Sequence, residues 1–484
     1  MPQAPDATWR FKCFVGHVTS RVLPLRIPQV VSGEGCIGEI ARVLLGLGVR
    51  RPLVVTDKDL VAAGVAGQCT AVLSAAGLNF ELFDNVEPNP TSTSVEAGFA
   101  LYCRGGCDSI IAVGGGSPMD CAKVIGAKVA NPKEVEEYGG LCAVTMFGLT
   151  GKLPPLVAVP TTAGSGSEAT VGAVITLQAT NTKLTIADPG LIPNAAVLDP
   201  GLHRGCPKSV TAATGMDALT HAIESVLSSW ATADSRRRCL RAAADIFTYL
   251  PTAYRDGNNM EARRAMLHAS FEAGLCFTRT HCGYVHTISH QFGGLFHTPH
   301  GTANAMLLPH VLNYYIRDET HGGRCSELLC QLAEAAGLTA LCEEEEPARK
   351  HFVLARRLIE RVGEMNEELN IAQVVPEMRA SDVRKVAVRA LREAHGEQFG
   401  PGPLAGISRL SSTRPRSQVP AQPTSRLQYM LDLGYPVPKY MTLAECEAIV
   451  AQCLPAEERL AWEGALAAPL GAPVPGGAQP RARL

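Results

Sequence analysis

The sequence has no strong excess of charge of either sign and no long apolar run. Lysine and arginine number 44 against 46 aspartates and glutamates in 484 residues, which gives a formal net charge of −2. So balanced a composition gives no electrostatic reason to expect nucleic acid or an anionic membrane as a partner. No stretch reaches about 18 uninterrupted apolar residues, the length that a membrane-spanning helix needs. We therefore expect no membrane span.

The sequence also lacks a regular cysteine framework. Its 16 cysteines are scattered and form no CxxC pair, which is typical of reduced, mostly buried thiols in a reducing compartment. Cys103 and Cys107 lie four residues apart, and we expect buried helix cysteines there rather than metal ligands. The pattern of cysteines favours the cytoplasm.

The N terminus shows no charged segment, apolar core and small-residue cleavage site of a secretory signal. It does contain Arg10, Lys12 and Arg21 with a single acidic residue, Asp6. Short organellar presequences share this composition, so a mitochondrial or other organellar location is the alternative to the cytoplasm. Residues 1–26 are accordingly treated as an N-terminal extension.

The overall composition, 46% hydrophobic and 19% charged, is that of a folded globular protein. A chain of 484 residues is too long for one ordinary core, and we expect an α/β domain at 27–207 and a helical domain at 208–464. Within the second, residues 396–424 contain five prolines and runs of Ser, Thr and Arg, which indicates a surface insertion. The tail 465–484 is rich in Ala, Pro and Gly and is expected to be disordered.

The first half alternates short apolar, β-branched runs with helical stretches. This alternation predicts a parallel sheet with helices on both faces. The predicted strands are Leu53–Asp57, Phe80–Phe83, Ser109–Val113, Leu156–Val159 and Ala195–Asp199, with helices to about Ala76 and over Thr93–Arg104.

After about Cys206 the strand signals stop and helical periodicity takes over. The predicted helices are Ser209–Ser228, Ser235–Leu250, Glu261–Phe277, Ala303–Ile316, Ser326–Ala336, Phe352–Leu369 and Ala380–Ala394. The second half is therefore expected to be all-helical.

Two polar turns follow predicted strands. The first, Gly114–Asp120, has three glycines that let the backbone approach a phosphate, and the helix after it offers unpaired N–H groups. We expect Ser117 to be the N-cap of that helix, with Pro118 at its first position. The second turn is Pro160–Glu168, and loops at strand C-terminal ends are where an open α/β sheet binds its ligand.

The first turn is not the dinucleotide fingerprint GxGxxG, so by itself it fits a strand-to-helix turn without ligand equally well. Asp57, which closes a predicted strand, is open to two interpretations: it could hydrogen-bond ribose hydroxyls, or it could be a helix N-cap.

Histidines and one aspartate supply the strongest signal. Asp217 and His221 are spaced i, i+4 and project from one helix face, and His286 and His290 repeat the spacing. Five of the 13 histidines fall between His281 and His300. A single pair of this kind is usually a helix ion pair, and an isolated histidine is usually a core or surface residue. The concentration favours a divalent metal site between helices.

With these residues in view, the sequence resembles the iron-containing (group III) alcohol dehydrogenase family. The resemblance rests on Gly114–Asp120, Pro160–Glu168, Ala212–Glu224 and His286–Pro309, and it spans roughly residues 27–395. It implies an N-terminal nucleotide-binding α/β domain with a parallel sheet, an all-α C-terminal domain as in dehydroquinate synthase, and the metal in the cleft.

Carried over by position, the resemblance also implies roles for individual residues. The metal ligands would be Asp217, His221, His286 and His300, and His290 would be a non-ligand histidine near the nicotinamide. The metal would be Fe(II), with Zn(II) as the alternative. Asp57 would hold the adenosine ribose and favour NAD over NADP. The remaining residues assigned to the cofactor are Gly114, Gly115, Gly116, Ser117 and Asp120 in the first turn, Thr161, Thr162 and Ser165 in the second, and Lys183.

The implied reaction is the NAD-linked interconversion of small primary alcohols and aldehydes by a metal-dependent enzyme, a homodimer or higher homo-oligomer. His290 could relay the proton. One alternative is a hydroxyacid dehydrogenase or hydroxyacid–oxoacid transhydrogenase, acting for example on 4-hydroxybutyrate, for which Arg279 is the candidate carboxylate clamp. Others are the glycerol dehydrogenase or dehydroquinate synthase branch, and a catalytically silent binding protein of the same fold. The region of the Asn-Pro-Arg segment usual late in the family is interrupted here by residues 396–424, so the resemblance does not assign the residues that form the outer wall of the substrate pocket.

Overall fold

A computed structural model describes residues 18, 21, 25–141, 144, 152–180, 182–317, 323–341, 346–395 and 437–467. The predicted insertion 396–424 lies outside these residues, as does most of the N-terminal extension 1–26. The disordered tail was predicted to begin at residue 465, but residues 465–467 form the last turn of a helix. Residues 468–484 lie outside the described part.

Nine strands are described, and they form two sheets. They are β1 Gln29–Ser32, β2 Pro52–Val55, β3 Glu81–Phe83, β4 Ser109–Gly114, β5 Gly140–Leu141, β6 Leu156–Pro160, β7 Gly172–Leu177, β8 Thr182–Ala187 and β9 Ala195–Leu198.

The larger sheet has six parallel strands in the order β1-β9-β6-β4-β2-β3. Every residue of β2, β4, β6 and β9 is buried, which is why these strands are continuous apolar runs. Alternate residues pack into two cores, with Ile111 and Val157 facing one and Ile110 and Ala158 the other. The predicted parallel α/β sheet is confirmed.

A second sheet was not predicted. In it β7 pairs antiparallel with β8, and β8 pairs parallel with β5. Sequence analysis also missed β1 and the first helix below. The helix predicted to run to about Ala76 is two helices, separated at Gly64, whose φ of 72° is the left-handed conformation that favours glycine.

The helices of the first half flank the large sheet. They are α1 Ile40–Gly46, α2 Lys58–Ala62, α3 Val65–Ala75, α4 Ser92–Gly105 and α5 Gly116–Ala130. The expectation for the cysteine pair was wrong, because Cys103 is exposed on α4 and Cys107, partly buried, follows the end of that helix.

The second half is helical, as predicted, and holds the largest apolar cluster. Its helices are α6 Lys208–Leu227, α7 Ala233–Arg255, α8 Met260–Thr280, α9 Tyr284–Phe296, α10 His300–Ile316, α11 Arg324–Ala335, α12 Pro347–Glu368, α13 Val383–Ala394, α14 Leu443–Ala451 and α15 Ala456–Ala467. Most of α6 is buried, from Gly215 to Leu227, so α6 runs through the centre of the half. None of the described helices is long and apolar enough to cross a membrane.

Candidate metal and nucleotide site

Helix α6 carries the first two predicted metal ligands. Asp217 and His221 lie on one face, with the carboxylate Oδ1 4.0 Å from the imidazole Nε2. Their side chains are only 7% and 5% exposed. A carboxylate and an imidazole buried together without other ions nearby would be costly unless paired or bound to a metal.

The other two ligands come from α9 and α10. Asp217 Oδ1 lies 3.8 Å from Nε2 of His286 and 3.6 Å from Nε2 of His300. Atoms that share one ion at about 2.0–2.2 Å lie roughly this far apart. The four predicted ligands therefore converge, and one carboxylate with three imidazoles is a donor set that suits Fe(II) and Zn(II).

Of the four predicted ligands, His300 is the most exposed to solvent. The His300 side chain is 34% exposed, whereas the other three ligands are buried. His300 begins α10 directly after Pro299, three residues before the predicted start of this helix at Ala303. A small molecule can therefore approach the cluster from the side of His300.

Glu224, also on α6, fixes the orientation of His286. Its carboxylate accepts hydrogen bonds from the backbone N–H of Gly283 at 2.8 Å and of Val285 at 2.9 Å, and it contacts His286 Nδ1 at 2.6 Å. Occupying Nδ1 in this way turns Nε2 toward Asp217 and leaves its lone pair for a metal. Glu224 lies within the motif Ala212–Glu224, and no role was predicted for it.

Two more side chains reach the ligand cluster. Asn304 on α10 donates from Nδ2 to Asp217 Oδ1 at 2.7 Å and lies 3.1 Å from His286 Nε2 and 3.2 Å from His300 Nε2. Cys282, just before α9, has its thiol close to the imidazoles of His221 and His286, with all three donor atoms within 4.8 Å of one another. Neither residue was predicted. The i, i+4 spacing of Asn304 from His300 was the available signal.

The electrostatics favour metal binding at three of the four proposed ligands. Burial would raise the pKa of Asp217, but the imidazoles of His221, His300 and His286 hold that pKa well below its usual range. Burial lowers the pKa of His221 to about 4 and that of His300 well below the ordinary value. Asp217 is therefore ionised and His221 and His300 are neutral, as metal ligands require. Burial would lower the pKa of His286, but Cys282 and Glu224 beside it raise that pKa well above its ordinary value, so metal binding has to displace a proton from His286.

His290 lies one turn after His286 on α9 and is held by α13. Its Nδ1 is 2.5 Å from Glu393 Oε1, and Gln291 donates to the other carboxylate oxygen at 2.9 Å. The His290 ring stacks on that of His300 with centroids 5.4 Å apart. Glu393 therefore orients His290 beside the ligand cluster, and no sequence signal pointed to Glu393.

The glycine turn after β4 lies against the turn after β6. Gly114 has φ 155°, and a Cβ there would lie 2.5 Å from the ring of Pro118. A Cβ on Gly115 would meet Thr162 at 3.1 Å, and one on Gly116 would meet Ser165 at 3.4 Å. The two predicted nucleotide turns thus form one surface, with Thr161 buried behind it.

The predicted cap of α5 was wrong. Gly115 is the N-cap, with no side-chain cap bond, and the helix begins at Gly116, so Ser117 and Pro118 are its second and third residues. Because glycine supplies no capping oxygen, no side chain satisfies the N–H groups at the N-cap turn. These groups are the ones that phosphate binds at a helix N-terminus.

The remaining cofactor candidates have partners within the protein. Asp57 is the N-cap of α2 and accepts from Leu60 N–H at 2.8 Å. Asp120 accepts from Ser167 Oγ and from Val174 N–H, both at 2.9 Å. Lys183, on β8, is mostly buried, which lowers its pKa, and its Nζ would lie 3.0 Å from a Cβ on Gly293 of α9. Lys183 therefore reaches across from the small sheet to the helix that carries His286.

Comparison with known proteins agrees with this architecture. Residues 28–200 match the model for iron-containing alcohol dehydrogenase, and residues 211–404 match the C-terminal model of the Fe-containing alcohol dehydrogenase family. A 1,3-propanediol dehydrogenase of Klebsiella pneumoniae is 41% identical over 297 residues, 61% of this chain and 76% of the relative.

Two other proteins are similar over more of the chain. An NAD-dependent methanol dehydrogenase of Bacillus methanolicus is 33% identical over 368 residues, 76% of this chain and 92% of the relative. The crystal structure of a 1,3-propanediol oxidoreductase superposes with a TM-score of 0.75 at 32% identity, covering 90% of this chain and 100% of the other. The chain belongs to the iron-containing alcohol dehydrogenase family and is an NAD-dependent oxidoreductase that interconverts alcohols and aldehydes.

Proposed function

We propose that the chain acts on short primary alcohols and their aldehydes, with Asp217, His221, His286 and His300 holding one Fe(II) ion. The observation that carries the proposal is the position of Asp217 Oδ1, 3.6–4.0 Å from Nε2 of all three histidines. Zn(II) suits the same donors and is the alternative metal. Such an ion supplies Lewis acidity that favours the alkoxide form of the alcohol.

The protein's own groups do the rest of the chemistry. The turns that contain Gly115 and Ser165 receive the pyrophosphate, and Thr162 and Lys183 lie on the nicotinamide and ribose side. His290, oriented through Nδ1 by Glu393, accepts the alcohol proton at its other nitrogen and returns it in aldehyde reduction. Asp217, His221 and His286 are buried, so the protein keeps water away from these three ligands.

Coenzyme preference is assigned to Asp57. Its carboxylate follows β2 and is held in place as the cap of α2. A negative charge fixed beside the adenosine ribose repels a 2′-phosphate, so we propose NAD rather than NADP as the coenzyme. Asp120 supports the coenzyme site through its hydrogen bonds to Ser167 and Val174. These bonds tie α5, the helix after the glycine turn, to the second turn and to β7.

The substrate is proposed to be uncharged. A hydroxyacid would need a cation in the pocket, and the sequence offers Arg279 as the candidate. Arg279 is in the last turn of α8, next to the segment that leads into α9. The relatives named for 1,3-propanediol and methanol support a small neutral alcohol over a hydroxyacid.

Assembly and location complete the proposal. Strand β1 lies at an edge of the large sheet, where Ile27 is 67% and Val30 41% exposed. An apolar edge strand is a template for pairing with another chain, which supports a homodimer or higher homo-oligomer. The free cysteines of the described residues support a reducing compartment, the cytoplasm.

Two measurements test the proposed function. Metal analysis of purified protein should give one Fe or Zn per chain, and His286→Ala should lose it. Equal metal content in the variant would remove His286 from the site. A panel of neutral alcohols, diols and hydroxyacids, assayed by NADH absorbance, should then favour short neutral alcohols. A clear preference for hydroxyacids, lost in Arg279→Gln, would establish the alternative.

A further inference from the structure

Cys282 stands at the metal cluster without a part in the proposed reaction. The thiol sulfur and one ring nitrogen each of His221 and His286 all lie within 4.8 Å of one another. The same His286 also belongs to the group formed by Asp217 and His300. Two overlapping donor groups therefore meet at His286, one with a carboxylate and one with a thiol.

The backbone around Cys282 is fixed on both sides. His281 ends α8 with φ 51°, a left-handed conformation that is uncommon for a residue other than glycine. Beyond Cys282, the N–H groups of Gly283 and Val285 are bound by the Glu224 carboxylate. Glu224 also contacts His286. The same carboxylate therefore holds both the turn that carries the Cys282 thiol and the His286 imidazole beside it.

The chemistry of the two groups differs. Carboxylate and imidazole suit Fe(II), whereas a thiolate is a soft donor that selects zinc and other thiophilic ions. The thiolate, not the thiol, binds a metal, so coordination releases one proton to solvent. A zinc site can also expand to five ligands, which allows the sulfur to be added beside the imidazoles of His221 and His286.

We propose that Cys282 is an additional metal ligand that gives the site a sulfur donor and shifts its preference from Fe(II) toward Zn(II) and Co(II). The inference rests on the proposed metal site. It goes beyond that site because none of the four ligands assigned above supplies sulfur.

Cobalt substitution tests the inference without an activity assay. Metal-stripped protein is titrated with Co(II), and absorption spectra are recorded for wild type, Cys282→Ser and the control Cys206→Ser. Cys206, like Cys282, is partly buried, but it belongs to neither donor group. Wild type and the control should show a sulfur-to-cobalt charge-transfer band together with the weaker d–d bands. Cys282→Ser should lose the charge-transfer band and keep the d–d bands.

Chelator competition gives a second readout. Zn(II) affinity should fall on the order of tenfold in Cys282→Ser, with a smaller change for Fe(II), whereas Cys206→Ser should match wild type for both ions. Cys282→Ala provides a second variant in case serine oxygen itself binds the metal.

The outcomes separate the two proposals. Cobalt bound with d–d bands but no charge-transfer band in wild type overturns the role of Cys282 and leaves the metal site intact. An equal charge-transfer band in wild type and Cys282→Ala also overturns it. No cobalt binding by any of the proteins would instead contradict the metal site itself.

Discussion

Glu224 and His286, 62 residues apart in sequence, meet at 2.6 Å between Oε2 and Nδ1. The same carboxylate closes the turn into α9 through two backbone N–H groups. One side chain of α6 thus sets both the start of α9 and the direction in which the His286 imidazole faces.

Replacing Glu224 with Gln should weaken metal binding about 10–100-fold, the usual cost of losing a group that orients a ligand histidine. The amide can donate to Nδ1 and so favour the tautomer that carries its proton on Nε2, where the metal must bind. Chelator competition measures the effect. Glu272→Gln, at a surface ion pair with Arg238, is the control, and an unchanged affinity in Glu224→Gln would contradict the orienting role.

His290→Asn should keep both metal and NAD while turnover falls about 10²–10⁴-fold, the range for general acid–base assistance. The loss should shrink at high pH, where hydroxide takes the alcohol proton. Glu393→Gln should give a smaller loss of the same kind, because His290 remains but is held less firmly. Steady-state kinetics with metal analysis checks both variants. Loss of metal from His290→Asn would make His290 a ligand.

Asp57→Gly should relax the preference for NADH over NADPH, because the repulsion of the 2′-phosphate is removed. The same change removes the cap of α2, which costs about 1 kcal/mol or less. Asp57→Asn retains a capping side chain without the charge, and it should therefore relax the preference with less loss of stability. Fluorescence titration with NADH and NADPH measures the two affinities and so tests the role of Asp57. A wild-type preference for NADPH would show that Asp57 is wrongly assigned.

Gly301→Ala should destabilise the protein by about 1–3 kcal/mol and weaken metal binding. A Cβ at Gly301 would lie 2.1 Å from the carbonyl oxygen of Ala213 on α6, so α10 and its first residue, His300, must move away. Gly294→Ala is the matched control, since a Cβ there meets nothing within 4 Å and alanine favours the helix. Thermal unfolding and metal content should separate the two variants.

The free energy of unfolding should fall as the pH is lowered from about 6.5 to about 4, because of His203. Burial lowers the pKa of His203 to about 4, and its Nε2 is 3.0 Å from the Pro160 carbonyl oxygen. Below the ordinary histidine pKa the unfolded chain binds a proton that the folded chain excludes. This contribution is therefore complete above pH 6.5 and decreases by about 2 kcal/mol between pH 7.5 and pH 5.

The variant that tests this is His203→Gln, whose amide can still donate to the carbonyl but does not titrate. Unfolding by urea should depend less on pH in the variant than in wild type, by about that amount. Both proteins are measured with chelator present, so that protonation of the metal ligands does not differ between them. The same pH dependence in both would exclude His203.

Features that depend on local sequence were predictable. Strand β4 is an unbroken run of buried residues, and the spacing of Asp217 and His221 places them on one helix face. Strands β7 and β8 were missed because buried residues such as Ala173 and Ile175 alternate with only partly buried ones, and polar Thr and Gln end the run. The cap of α5 was misassigned because three successive glycines give no local signal for which of them starts the helix.

Features that depend on helix packing were not predictable. Glu393 meets His290 across 103 residues, and Asn304 meets Asp217 across 87. Such contacts exist only once α6, α9, α10 and α13 are assembled. A single sequence does not specify which polar residues of different helices will face one another.

The four proposed metal ligands lie on three helices of one half, between Asp217 and His300, and none of them comes from the large sheet. An ion bound there acts as a cross-link within that half, in a chain whose described cysteines are all free. Binding to the folded form alone adds RT ln(1 + [M]/Kd) to the free energy of unfolding. A supply of the metal should therefore lengthen the lifetime of the helical half against proteolysis.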